Sequence, residues 1–94
     1  MDNIEAIEIL NKELTQFRSK SYSELKSLIT GKPILKEIRT YNDADYNVEI
    51  VASWIDKPSG NIKVHAFIDD GELRSFFPIS SSFIKSPDNT FVDE

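Results

Sequence analysis

The 94-residue chain has no cysteine, which removes a disulfide framework, a thiolate zinc site and a cysteine nucleophile from consideration. Its three glycines, Gly31, Gly60 and Gly71, are too scattered to build a Walker or Rossmann phosphate-binding fingerprint. No apolar run approaches the roughly 20 residues that a membrane span requires. The opening Met1-Asp2-Asn3-Ile4-Glu5 is acidic where a secretory signal is basic. Neither membrane association nor export is therefore expected, and the setting expected is the cytoplasm. Basic residues are scarce as well: 11 Lys and Arg stand against 16 Asp and Glu, a formal net charge of −5. Nucleic-acid binding rests on cations displacing counterions from a polyanion, so no nucleic-acid partner is expected. The same charge keeps a small domain soluble and suits a basic protein partner.

This length fits one domain spanning 1–94, with a helical part over 2–31 and a sheet part over 34–94. A domain of this size is marginally stable, on the order of 5 kcal/mol. From Asp2 to about Arg18, Ile4, Ile7, Leu10, Leu14 and Phe17 recur at helical steps and predict one amphipathic stripe. Glu5, Glu8, Lys12 and Glu13 are then expected to point to water. Ser21 with Glu24 is a capping-box signature, followed by Leu25, Leu28 and Ile29 before Gly31 and Pro33 end a short second helix.

Beyond Pro33 the period changes from 3.6 to 2. Ile34 to Tyr41 reads as a strand whose facing is open, because Ile34 and Ile38 compete with Leu35 and Tyr41. Tyr46 to Ile55 and Asn61 to Asp69 place their even-numbered apolar residues on one face. The Lys57-Pro58-Ser59-Gly60 turn, with Gly60 left-handed, predicts Lys57 opposite Asn61 and hence Trp54 opposite Val64. A two-residue turn at Asp70-Gly71 then predicts a strand from Leu73 to Ile79, with Ile68 opposite Leu73 and Val64 opposite Phe77. A turn at Ser86-Pro87-Asp88-Asn89 and a short Phe91-Val92 segment close the chain. The expected class is α+β, with two N-terminal helices packed on one face of a four-stranded antiparallel meander and a short C-terminal extended segment.

The C-terminal half resembles a family of small uncharacterised bacterial proteins. The residues that carry the likeness include Trp54-Ile55-Asp56, Gly60 to Val64, Ile68-Asp69-Asp70-Gly71, Arg74-Ser75-Phe76, Pro78-Ile79, Phe83-Ile84 and Phe91 to Glu94. The resemblance covers roughly residues 46 to 94. It implies a bacterial origin and a shared fold, and supplies no catalytic residue.

The outward face is formed by odd-numbered positions up to Ile68 and by even-numbered ones in the strand from Leu73 to Ile79, and on it Val51, His65, Phe67, Arg74 and Phe76 are the candidate interaction residues. The expected register sets Val51 beside Phe67, Phe67 beside Arg74, and His65 between Ser53 and Phe76. Two readings of this apolar strip compete. In one, Phe83, Ile84, Phe91 and Val92 fold back over it. In the other, a protein partner or a second copy docks there, since aromatics and arginine are enriched at interfaces. His65 beside Ser53 lacks a strand-to-helix elbow and a glycine-rich oxyanion turn, so no triad is expected. Asp70 belongs to its turn, and Asp43 and Asp45 lack the glycine and distal glutamate of a calcium loop. No metal and no cofactor is expected. The function expected is a non-catalytic protein-interaction module. Alternatives are a small-ligand protein or enzyme with a pocket near Trp54 and His65, and an acidic antitoxin- or immunity-type inhibitor of a basic partner.

Overall fold

A computed structural model of the protein describes residues 3–71 and 79–92. It contains helices α1 (Asn3–Arg18) and α2 (Tyr22–Ile29) and strands β1 (Ile34–Arg39), β2 (Asp45–Trp54), β3 (Ile62–Asp69), β4 (Ile79–Lys85) and β5 (Phe91–Val92). The strands form one antiparallel sheet in the order β1-β2-β3-β4-β5. The α+β class and the meander hold, but among the described residues the sheet has five strands rather than four. The C-terminal segment expected to be merely extended pairs with β4, Ile84 opposite Val92.

In α1 the buried residues are Ala6, Leu10, Glu13, Leu14 and Phe17. The stripe is rotated from the expected one at its N-terminal end, leaving Ile4 and Ile7 exposed at 73% and 44%. Ala6 takes the inward position there. Glu13, expected in solvent, is buried because Lys36 of β1 donates to its Oε2 at 2.8 Å. The capping box forms as read: the Glu24 N–H donates to Ser21 Oγ, and the Ser21 N–H donates back to the Glu24 carboxylate. Tyr22 ties α2 to two distant turns, its N–H donating to Asn89 Oδ1 at 2.9 Å and its hydroxyl to the Gly60 carbonyl at 2.7 Å.

Even-numbered residues of β2 and β3 do carry the core. Tyr46, Val48, Ile50, Ile62, Val64, Ala66 and Ile68 are buried in one cluster with Ala6, Leu10, Leu14, Phe17 and Leu25. The facing of β1, open from sequence, follows the same parity: Ile34, Lys36 and Ile38 stand opposite Ile50, Val48 and Tyr46, while Leu35 is 73% exposed.

Both expected registers slide. Trp54 pairs with Ile62 and Ala52 with Val64, two residues from the expected Trp54–Val64 match. The turn explains the slide. Ser59, not Gly60, takes the left-handed conformation (φ 67°), and Gly60 N–H donates to the Lys57 carbonyl at 3.1 Å. A positive φ at the third turn position after proline is the type II pattern, and the hairpin closes further back, where Ile55 N–H donates to the Asn61 carbonyl. Gly60 eases a close approach: a Cβ there would lie 3.1 Å from the Lys57 carbonyl oxygen, a tight contact that the turn would have to relieve.

The partner of β3 is Ile79–Lys85, so Ile68 pairs with Ile79 and Val64 with Phe83, in place of Leu73 and Phe77. Residues 72–78, which carried most of the expected fourth strand, lie outside the described residues. Two inward positions of β4 disguise it in sequence. Ser81 is small and polar, and Lys85 is 5% exposed with its Nζ donating to the Lys20 carbonyl at 2.6 Å and 5.0 Å from the Phe91 ring.

Candidate docking face

The pleat fixes what shares the odd-numbered side of the sheet, since cross-strand partners lie on one face. One row runs Leu35–Glu49–Phe67–Ser80 across β1 to β4. The row above it runs Glu37–Asn47–Asp69. The row below sets Val51, His65 and Ser82 side by side, and the next sets Ser53, Lys63, Ile84 and Val92 together.

Three of the five candidate residues, Val51, His65 and Phe67, therefore share this face. Their neighbours differ from those expected. Val51 faces His65 rather than Phe67, and Phe67 sits between Glu49 and Ser80. The His65 and Phe67 rings stack, with centroids 4.3 Å apart and planes at 29°. Arg74 and Phe76 lie outside the described residues. Ser53 stands opposite Lys63, and the serine across from His65 is Ser82, which the misplaced fourth strand hid. Trp54 and His65 are on opposite faces by parity, so the register does not bring them to one pocket.

Phe83, Ile84, Phe91 and Val92 do not fold back over this face, because all four lie within the sheet. Phe83 turns inward and is 6% exposed, and Phe91–Val92 extends the sheet at its edge. Phe83 and Phe91 meet edge to face at 5.8 Å, and the Arg18 guanidinium lies 5.6 Å from the Phe83 ring. No protein-family model, curated protein or solved structure matches this chain.

Sequence reasoning missed a groove of about 590 Å³ on the odd-numbered side, lined by Leu35, Lys36, Glu37, Asn47, Val48, Glu49, Phe67 and Asp69. Leu35 and Phe67 flank Glu49, while Glu37 and Asp69 occupy the adjoining row. Lys36 contributes no free charge, because its amine is held by Glu13. Asp69 accepts from Gly71 N–H at 2.8 Å and from Asn47 Nδ2 at 3.4 Å. Beside the groove, Arg39 and Asp45 form a two-bond pair at 2.8 and 3.1 Å; that bonding lowers the Asp45 pKa and raises that of Arg39. Asp43, named with Asp45 for a calcium loop, is instead the left-handed residue (φ 64°) of the Thr40–Ala44 turn.

Proposed function

We propose that this protein is a non-catalytic interaction module whose two helices cover the even-numbered face of the sheet and whose odd-numbered face docks a protein partner or a second copy. One observation carries the reading: Leu35, Val51, His65, Phe67 and Ile84 share a face on which none of them is buried. A small domain seldom leaves contiguous apolar surface without a use. The reading places the chain in the cytoplasm of a bacterium, in the family that its C-terminal half resembles, and assigns it no cofactor.

Sedimentation of the wild type beside Phe67→Asp tests self-docking. Self-association lost in the variant supports a second copy as the occupant. If both are monomers, the paired proteins serve as baits in the native host. A binder retained by wild type and lost by Phe67→Asp supports the reading, and one retained equally by both overturns it.

A second reading is a small-ligand protein, favoured by a groove volume within the usual range for ligand pockets, roughly 300–1,000 Å³. Its site is the Leu35–Phe67 groove rather than a pocket joining Trp54 to His65. A metabolite that raises the melting temperature of wild type but not of Phe67→Asp would favour it. The acidic-inhibitor alternative shares the docking face and differs only in the charge of what it meets.

A further inference from the structure

Among the described residues, some carboxylates are ion-paired and others are not. Glu13, Asp45 and Glu24 each lie within ion-pair distance of a cation, Lys36, Arg39 and Lys20 respectively. Glu37 and Glu49, which line the groove, are in no ion pair among the described residues. Among the described residues, Asp69 beside them is met only by neutral donors, Gly71 N–H and Asn47 Nδ2. Three carboxylates thus surround Leu35 and Phe67 with no cation among the described residues of the groove directed at them. Directly opposed like charges in a sheet are unfavourable, and the neutral Asn47 separates Glu37 from Asp69 in its row.

We propose that the occupant of this groove is an extended, basic segment of a partner protein, with an arginine or lysine flanked by apolar side chains. This rests on the docking reading above and names the chemistry of its partner. The cation stem lies along Leu35 and Phe67, as long basic side chains do on apolar surfaces. Its head reaches Glu49 from between those two residues, with Glu37 and Asp69 in the next row. A guanidinium suits the site better than an ammonium, because it bonds carboxylates in pairs and stacks on an aromatic face. The net charge of −5 steers such a partner toward the molecule before contact.

The test is an amide-shift titration of the full chain with two synthetic nonapeptides, one alternating leucine with arginine and one alternating leucine with glutamate. The arginine peptide is expected to bind, with shifts concentrated at residues 35–37, 47–49 and 67–69. Affinity should fall by about tenfold or more in Glu37→Gln/Glu49→Gln, and also as sodium chloride rises from about 50 to about 300 mM. The glutamate peptide should not bind. Equal binding of both peptides, shifts centred elsewhere, an unaffected double variant, or no binding of the arginine peptide each overturns this occupant. The docking reading fails separately, through the Phe67→Asp comparison: if that variant still loses its partner while the arginine peptide does not bind, the face stands and the basic segment falls.

Discussion

Along β3, neighbouring residues live in different solvents. Ile62, Val64, Ala66 and Ile68 have no exposed surface, while Lys63, His65, Phe67 and Asp69 between them are only half-buried. Composition does not separate the two sides, since Phe67 is as apolar as Ile68. What separates them is parity: the even side shares its cluster with Leu10, Leu14 and Leu25, and nothing among the described residues gives the odd side an equivalent cover. The same strand thus builds the core and presents the candidate docking face, and the two roles predict opposite responses to mutation.

The largest difference should come from adjacent positions. Ile68→Ala removes fully buried methylenes and should cost about 2–5 kcal/mol, most of the stability expected of a domain this size. Phe67→Ser should cost less than about 1 kcal/mol, losing one stacking contact. Denaturant unfolding of the two variants measures this directly. Similar losses would mean that the odd side is covered as the even side is, and would remove the contrast.

Charge sharpens the same comparison at intermediate scale. Glu13 is buried on Lys36, whereas Glu49 has no cation among the described residues. Glu13→Ala leaves an ammonium without its partner and should cost about 1–3 kcal/mol, below the value for a wholly buried pair because the Lys36 side chain is 36% exposed. Replacing both residues, as Glu13→Leu/Lys36→Met, should restore most of that loss. Glu49→Ala should change stability by no more than about 0.5 kcal/mol. A large loss at Glu49, read by the same unfolding curves, would reveal a structural duty there and weaken its assignment to a partner.

Parity was legible in the chain because Tyr46, Val48 and Ile50, like Ile62, Val64, Ala66 and Ile68, alternate with residues that are polar at every step but Phe67. Register was not. A slide of two residues in the β2–β3 hairpin, or of six between β3 and β4, keeps every side chain on its side, so the hydrophobic pattern cannot distinguish them. Only the turn decides, and Ser59 adopts a left-handed conformation that glycine at position 60 was expected to take. The inward charges were hidden for another reason: Glu13 needs Lys36 from 23 positions away, and Lys85 needs the Lys20 carbonyl, so neither has a local signature. The docking face was half legible. Val51, His65 and Phe67 follow from parity, but the groove required the facing of β1, and nothing local chose Ile34 and Ile38 over Leu35 and Tyr41. Once Ile34 pairs with Ile50, Leu35 must meet Glu49 and the acidic groove follows.

The smallest expected effect concerns carboxylates that stabilise the fold from outside the core. Asp88 accepts from the hydroxyls of Ser86 and Thr90 and from Thr90 N–H, and these bonds hold its pKa below the usual carboxylate range. Glu24 is lowered by its bonds from Ser21, and Asp45 by its bonds from Arg39. A depressed folded-state pKa means that the native chain binds fewer protons than the unfolded chain at mildly acidic pH. The stabilisation is therefore complete above the ordinary carboxylate range and is lost as pH falls through it toward the lower folded values. Urea midpoints should be lower at about pH 3 than at about pH 7, and Asp88→Asn should show a smaller drop between them because it carries no proton-linked bond at that turn. All three groups are exposed, so salt and water screen them and the change should stay below that of Glu13→Ala. If Asp88→Asn keeps the full acid-induced drop, the sensitivity lies elsewhere. Glu24 and Asp45, whose values the fold lowers as well, would then be the next to neutralise.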